Sequence, residues 1–152
     1  MYRGNWGPGT AFRDQGDAHL RPGQPAPAYD SNPPTSGPHI PEAVNADRAQ
    51  LNNNQLLQAL EVGDVVFMYG TRTAPRALTD AARAVAPAFT PQLAASGQAV
   101  VLVSRPGIPG IAALAWGHML RTGSAADPAL RSFAQFWLGR GAPARRGALP
   151  KS

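Results

Sequence analysis

From about Ala46 the chain alternates between apolar runs and turn residues, and this pattern predicts regular elements. Ala49, Leu56, Leu57 and Leu60 suit a short helix that Gly63 is placed to stop. Asn52, Asn53 and Asn54 are weak helix formers in its first half. Val65-Val66-Phe67-Met68-Tyr69 is rich in β-branched and aromatic residues and reads as a strand. Thr73 is placed to cap a second helix, with Pro75 in its first turn and Leu78, Ala81 and Val85 on its apolar stripe. Pro87 ends that helix, and Thr90-Pro91 restarts a short turn that runs to Gly97. Ala99 to Val103 is a second buried strand, and Ile111 to Trp116 a third that can extend to Leu120. The second and third strands flank the turn Arg105 to Gly110 and are most simply an antiparallel pair. The first and second, joined through a helix, read as parallel neighbours. Asp127-Pro128 is a strong helix start, followed by the stripe Leu130, Phe133, Ala134, Trp137 and Leu138 and by the stops Gly139 and Gly141.

The order α-β-α-β-β-α predicts an α+β fold in two layers: a small, largely antiparallel sheet of three to four strands packed with two or three helices. That domain occupies residues 47–141. Residues 1–46 read as a Pro/Gly-rich extended arm and 142–152 as a basic tail.

The arm shows no apolar periodicity and holds half of the 16 prolines. Proline fixes φ and removes a backbone donor, so the arm should be extended and irregular. Tyr29, His39 and Ile40 are its candidate anchors, and the face bearing Trp116 or the helix of Leu56, Leu57 and Leu60 is its expected dock. On this reading residues 28–41 are structural, whereas removal of residues 1–27 should leave melting unchanged.

Composition narrows the chemistry. The 152 residues contain no Cys, which excludes disulfides, thiolate metal sites and a thiol nucleophile. No apolar run reaches the ~18 residues of a membrane helix, and Met1 to Pro8 carries no apolar stretch of a signal peptide. Two Glu and seven Asp leave few acid–base candidates. No paired carboxylates, nucleophile elbow or phosphate loop is present, so the residues point away from an enzyme. The net charge of +5 is lopsided: the acidic residues concentrate before residue 77, the excess of Arg after it. Arg140, Arg145 and Arg146 make the C-terminal end a candidate contact for an acidic protein partner or an anionic membrane surface. The absence of aromatic interleaving or a recognition-helix pattern speaks against nucleic acid.

Several strings resemble domain-of-unknown-function family 3105. Tyr29-Asp30-Ser31-Asn32-Pro33-Pro34-Thr35-Ser36-Gly37-Pro38-His39 looks like its opening signature, and Leu56 to Val66 its second block. Ala115-Trp116-Gly117-His118 is similar to its third block, and Phe133 to Gly141 to its closing helix and glycine turn. The resemblance implies a bacterial protein facing outside the cytoplasm, in the periplasm or at the cell surface. In the second block the family carries two histidines four residues apart, where this chain has Gln58 and Val62. An i, i+4 pair shares one helical face and could chelate a metal. Gln is a weak ligand and Val none, so a metal site of that kind is expected to be lost here.

His39 matches the family's first histidine and Glu61 its glutamate. His39 is expected to pin the arm by hydrogen bonds, Glu61 to serve a cap or ion pair, and His19 to be solvated. The main functional expectation is a non-enzymatic accessory subunit of an extracytoplasmic assembly, docking to a protein partner through Tyr29, Pro33, Pro34, His39, Arg140, Arg145 and Arg146. The alternative is a copper-related site built from His39, His118, Met119 and Met68, since thioether and imidazole together suit Cu(I). Strand alternation already sets His118 and Met119 on opposite faces.

Overall fold

The computed structural model describes residues 7–143. It is an α+β protein in which a five-stranded mixed sheet is packed with four helices. The elements are β1 (Thr10–Ala11), α1 (Asn53–Val62), β2 (Val65–Tyr69), α2 (Arg76–Val85), α3 (Pro91–Ala95), β3 (Val100–Ser104), β4 (Ile111–Ala115), β5 (His118–Thr122) and α4 (Pro128–Trp137). The sheet order is β1-β5-β4-β2-β3.

β2 and β3 pair in parallel, as their helical connection implied. β3 and β4 do not pair. β2 lies between them, antiparallel to β4, as an interior strand that is apolar and buried at every position. The expected third strand is two strands, β4 and β5, which turn back on each other at Trp116-Gly117. Gly117 supplies the positive φ (77°) that this two-residue turn demands. The arm adds the fifth strand, since β1 pairs antiparallel with β5.

Helices cover both faces of the sheet, so the molecule has three layers where two were expected. α2 and α4 pack on one face over Phe67, Tyr69, Leu102 and Ala113. α1, α3 and the arm cover the other over Val66, Met68, Val101 and Leu114. The alternation of side chains along each strand divides the core into these two clusters.

The helix ends follow local rules with two departures. Asn52 is not a weakness in α1 but its N-cap: its side chain accepts from Gln55 N while the Gln55 side chain reaches back to the Asn52 backbone. The helix therefore starts later than expected, at Asn53. Thr73 does not cap α2. Pro75 stands at the cap without a side-chain hydrogen bond, and as a proline it keeps Ala74 before it out of helical geometry, so the helix does not begin at Thr73. Thr90 caps α3 and Asp127 caps α4 as expected.

The arm is not a free tail. Phe12 N donates to Gly117 O and Gly117 N to Thr35 O, so both halves of the arm grip the β4–β5 turn. The Trp116 indole donates to Asp14, and the Trp137 indole donates to Pro8 O. Segment 47–49 runs along the outer edge of β3, with Arg48 N bonded to Leu102 O and Leu102 N to Asp47 Oδ1. The β3 edge of the sheet is thus closed by irregular chain, while β1 of the arm forms the other edge. Residues expected to be dispensable, 7–27, supply a strand and several of these contacts.

Candidate metal centre

Two backbone hydrogen bonds start the site. His39 N donates to Ala18 O and Leu20 N to His39 O, a parallel bridge that sets His19 beside His39. Side chains opposite each other in such a bridge point the same way, and the two imidazoles meet edge to face with centroids 5.2 Å apart. Both face the last turn of α1. There Glu61 Oε1 lies 2.9 Å from His19 Nε2 and 3.0 Å from His39 Nε2. The donor atoms of His19, His39 and Glu61 all lie within 4.8 Å of one another.

Each member is positioned by different means. His39 is fully buried, with Trp116 beside it, and its Nδ1 lies 2.9 Å from Gly37 O. A proton on Nδ1 donated to that carbonyl leaves Nε2 aimed at Glu61, the arrangement that orients metal-ligating histidines. Gln58 Oε1 stands 3.1 Å from the same Nε2. Glu61 is fixed through the end of α1. Ala142 N donates to Glu61 O, and Gly139 N to Gly63 O. Gly63 takes φ 124°, and a Cβ there would come within 3.0 Å of Gly97 and Gly139, so only glycine allows this approach. His19 is the open member, its side chain 47% exposed.

Two imidazole nitrogens and a carboxylate oxygen form a donor set for a divalent transition ion. In a tetrahedral site with bonds of about 2.0–2.1 Å, neighbouring donors lie about 3.3 Å apart. The two His–Glu separations are slightly shorter than this and the donor set as a whole spans up to 4.8 Å, so the side chains must shift to close around an ion. Protons occupying the same space give the hydrogen-bonded clasp.

The residues proposed from sequence do not gather in one place. His39 is at the site and, as expected, pins the arm. Glu61, expected to serve a cap or ion pair, contacts the two histidines of the arm. His19 is exposed, as expected, but its ring also contacts Glu61; it lies 42 positions from that partner, and no local pattern marks it. His118 is on the opposite face of the sheet, stacked on Trp137 at 4.0 Å. Met68 and Met119 belong to the apolar core beneath α1 and the arm. The four residues of the copper site therefore do not converge, for the reason strand alternation gives. Tyr29, Pro33, Pro34 and His39 are turned onto their own domain: Pro33, Pro34 and His39 are buried, and the Tyr29 hydroxyl donates to Pro38 O. Burial holds the Tyr29 phenol above its ordinary pKa. Arg140 is exposed and lies over the Phe136 ring at 4.2 Å. Arg145 and Arg146 lie outside the described residues.

Asp64 was not singled out by sequence. It follows Gly63 directly, is 1% exposed, and accepts from Ala99 N through Oδ1. Its Oδ2 has no hydrogen-bond partner among the described residues, and burial pushes its pKa up to about 8.

The fold and the site define a small α+β module with a histidine–carboxylate cluster between its arm and its first helix. The chain belongs to the family described as "Protein of unknown function (DUF3105)", whose model matches residues 21–149. No curated protein and no solved structure matched the chain in comparison. Among the described residues, no helix is long and apolar enough to cross a membrane.

Proposed function

We propose that this protein is a non-enzymatic binder of a divalent transition-metal ion, zinc or copper(II), held by His19, His39 and Glu61. The observation that carries this reading is the convergence of the three donor atoms within 4.8 Å, from two arm segments and one helix. Without a thioether in the set, a divalent ion suits it better than Cu(I). Bound there, the ion ties both strands of the arm to α1 and adds its binding energy to the stability of the fold. Glu61 acts as a ligand in this arrangement, which leaves binding rather than catalysis as its role.

Calorimetric titration of the metal-free chain with Zn²⁺ and with Cu²⁺ tests it. Saturation at one ion per chain is expected, with affinity falling at least about tenfold in Glu61→Gln and in His19→Ala. At a free ion concentration a hundredfold above Kd, the fold should gain about 2.7 kcal/mol. Absence of saturable binding, or binding indifferent to Glu61→Gln, overturns the proposal.

A second reading, an accessory subunit of an extracytoplasmic assembly, is supported by the exposed Phe136–Arg140 pair at the end of α4, which suits an acidic protein partner. Its arm anchors are engaged in cis, so this reading now rests on α4. Size-exclusion chromatography of gently extracted native material tests it, and a monomer without a stoichiometric partner removes it.

A further inference from the structure

A cavity of about 290 Å³ lies between α1, α3 and the arm segment that precedes α1. Its walls are mainly apolar, among them Val44, Ala59, Val62, Pro91 and Ala94. Asp64 lines it and is 1% exposed. One carboxyl oxygen is satisfied by Ala99 N, and the other, Oδ2, has no partner among the described residues.

A buried polar atom without a partner is costly, on the order of 1–3 kcal/mol, and folds rarely leave one beside an apolar cavity without cause. No Arg, Lys or His is among the described residues lining the cavity, so nothing among them favours a carboxylate. Burial without a countercharge keeps such a group as the neutral acid, which turns Oδ2 into a hydrogen-bond donor. The upward shift of the Asp64 pKa agrees with this. Glu42, the other titratable residue of the lining, adds negative charge that opposes an anionic guest.

We propose that this cavity is a binding site for a small, uncharged, largely apolar molecule whose carbonyl-type oxygen accepts a hydrogen bond from the Asp64 carboxyl group. The apolar walls bury the body of the guest, and the acid selects an acceptor over a hydrocarbon and a neutral molecule over an anion. Size sets an upper limit on the guest, since the volume is at the small end for ligand sites. Gln58 both lines the cavity and touches His39, so the site adjoins the histidine clasp without sharing its donor atoms.

The test is a heteronuclear NMR titration of the full chain in EDTA at pH 6, which keeps it independent of any metal. Cyclohexanone is the probe, with methylcyclohexane, cyclohexylamine and cyclohexanecarboxylate as comparators. Saturable shifts of the Ala99 and Asp64 amides by cyclohexanone are expected, with each comparator at least tenfold weaker. Val62→Phe and Ala95→Leu, which narrow the cavity from its partly exposed rim, should each weaken cyclohexanone at least tenfold while the rest of the spectrum keeps its native dispersion. Asp64→Asn, which retains both an acceptor for Ala99 N and a donor, should bind within about threefold of the parent. The inference is overturned if cyclohexanone produces no saturable shift, if methylcyclohexane or either charged comparator binds as tightly, or if neither rim substitution weakens binding in a natively dispersed chain.

Discussion

The two faces of the sheet are built on different principles. Under α2 and α4 the core is regular: helix stripes of Leu78, Ala82, Leu130, Phe133 and Trp137 meet the strands. Under α1, α3 and the arm, irregular chain brings Thr35, Ser36, His39 and Asp64 into the interior, whereas the buried polar side chain on the other face among the described residues is His118. Irregular chain cannot satisfy its own backbone, so it must import side-chain partners, and those partners are polar. Ser36 accepts from Gln15 N, and Asn54 accepts from Ile40 N. The face that is harder to build is thus the one that collects ligating and hydrogen-bonding groups, while its opposite serves as scaffold.

If this division is real, the scaffold face can be damaged without touching the chemistry. Phe133→Ala should destabilise the fold by about 3–5 kcal/mol in urea unfolding, the usual cost of emptying a large buried ring site. Metal affinity of the folded fraction should stay within twofold of the parent. A large loss of affinity would show the two faces to be coupled.

The arm face should carry an unusual pH dependence. The folded pKa of Asp64, about 8, lies above the ordinary carboxylate value near 4 of the unfolded chain. The folded state therefore holds a proton that the unfolded state has released. Stability from this group is complete below about pH 4 and declines as pH rises toward 8, by at most about 1.4 kcal/mol per pH unit. Urea midpoints between pH 5 and 8 check this, and Asp64→Asn should remove most of the decline. A variant that keeps the full slope would assign the effect to another group.

Removing residues 1–27 should lower the melting temperature by at least about 3 °C, because β1, the Asp14–Trp116 bond and His19 go with it. Unchanged melting would show that the arm's first half adds little to the face it covers. The smallest effect is expected from His118→Phe, which keeps an aromatic ring against Trp137. It should leave metal titration unchanged and shift stability by about 1 kcal/mol or less. Loss of metal binding would place His118 in the centre despite its position across the sheet.

Much of this architecture is legible from local pattern. The capping Asp127-Pro128, the stop at Gly63 and the all-apolar run Val65 to Tyr69 each act within a few residues, so the chain itself determines α4, the end of α1 and the strand β2. The parallel pairing of β2 and β3 follows from the helical connection between them. His39 was recognisable as the pin of the arm because it sits in a stretch too rich in proline to form its own ladder. Tertiary structure alone decided the rest. Placing β2 between β3 and β4 depends on which strand gains most from burial on both sides, a comparison across the whole sheet. The split at Trp116-Gly117 depends on β1 and Thr35 holding the turn. The meeting of His19 with Glu61 rests on a backbone bridge to residue 39, and the cavity beside Asp64 on three segments that leave a gap. Contacts between distant residues leave no periodicity in the chain, because each depends on loop paths and packing that no single segment specifies.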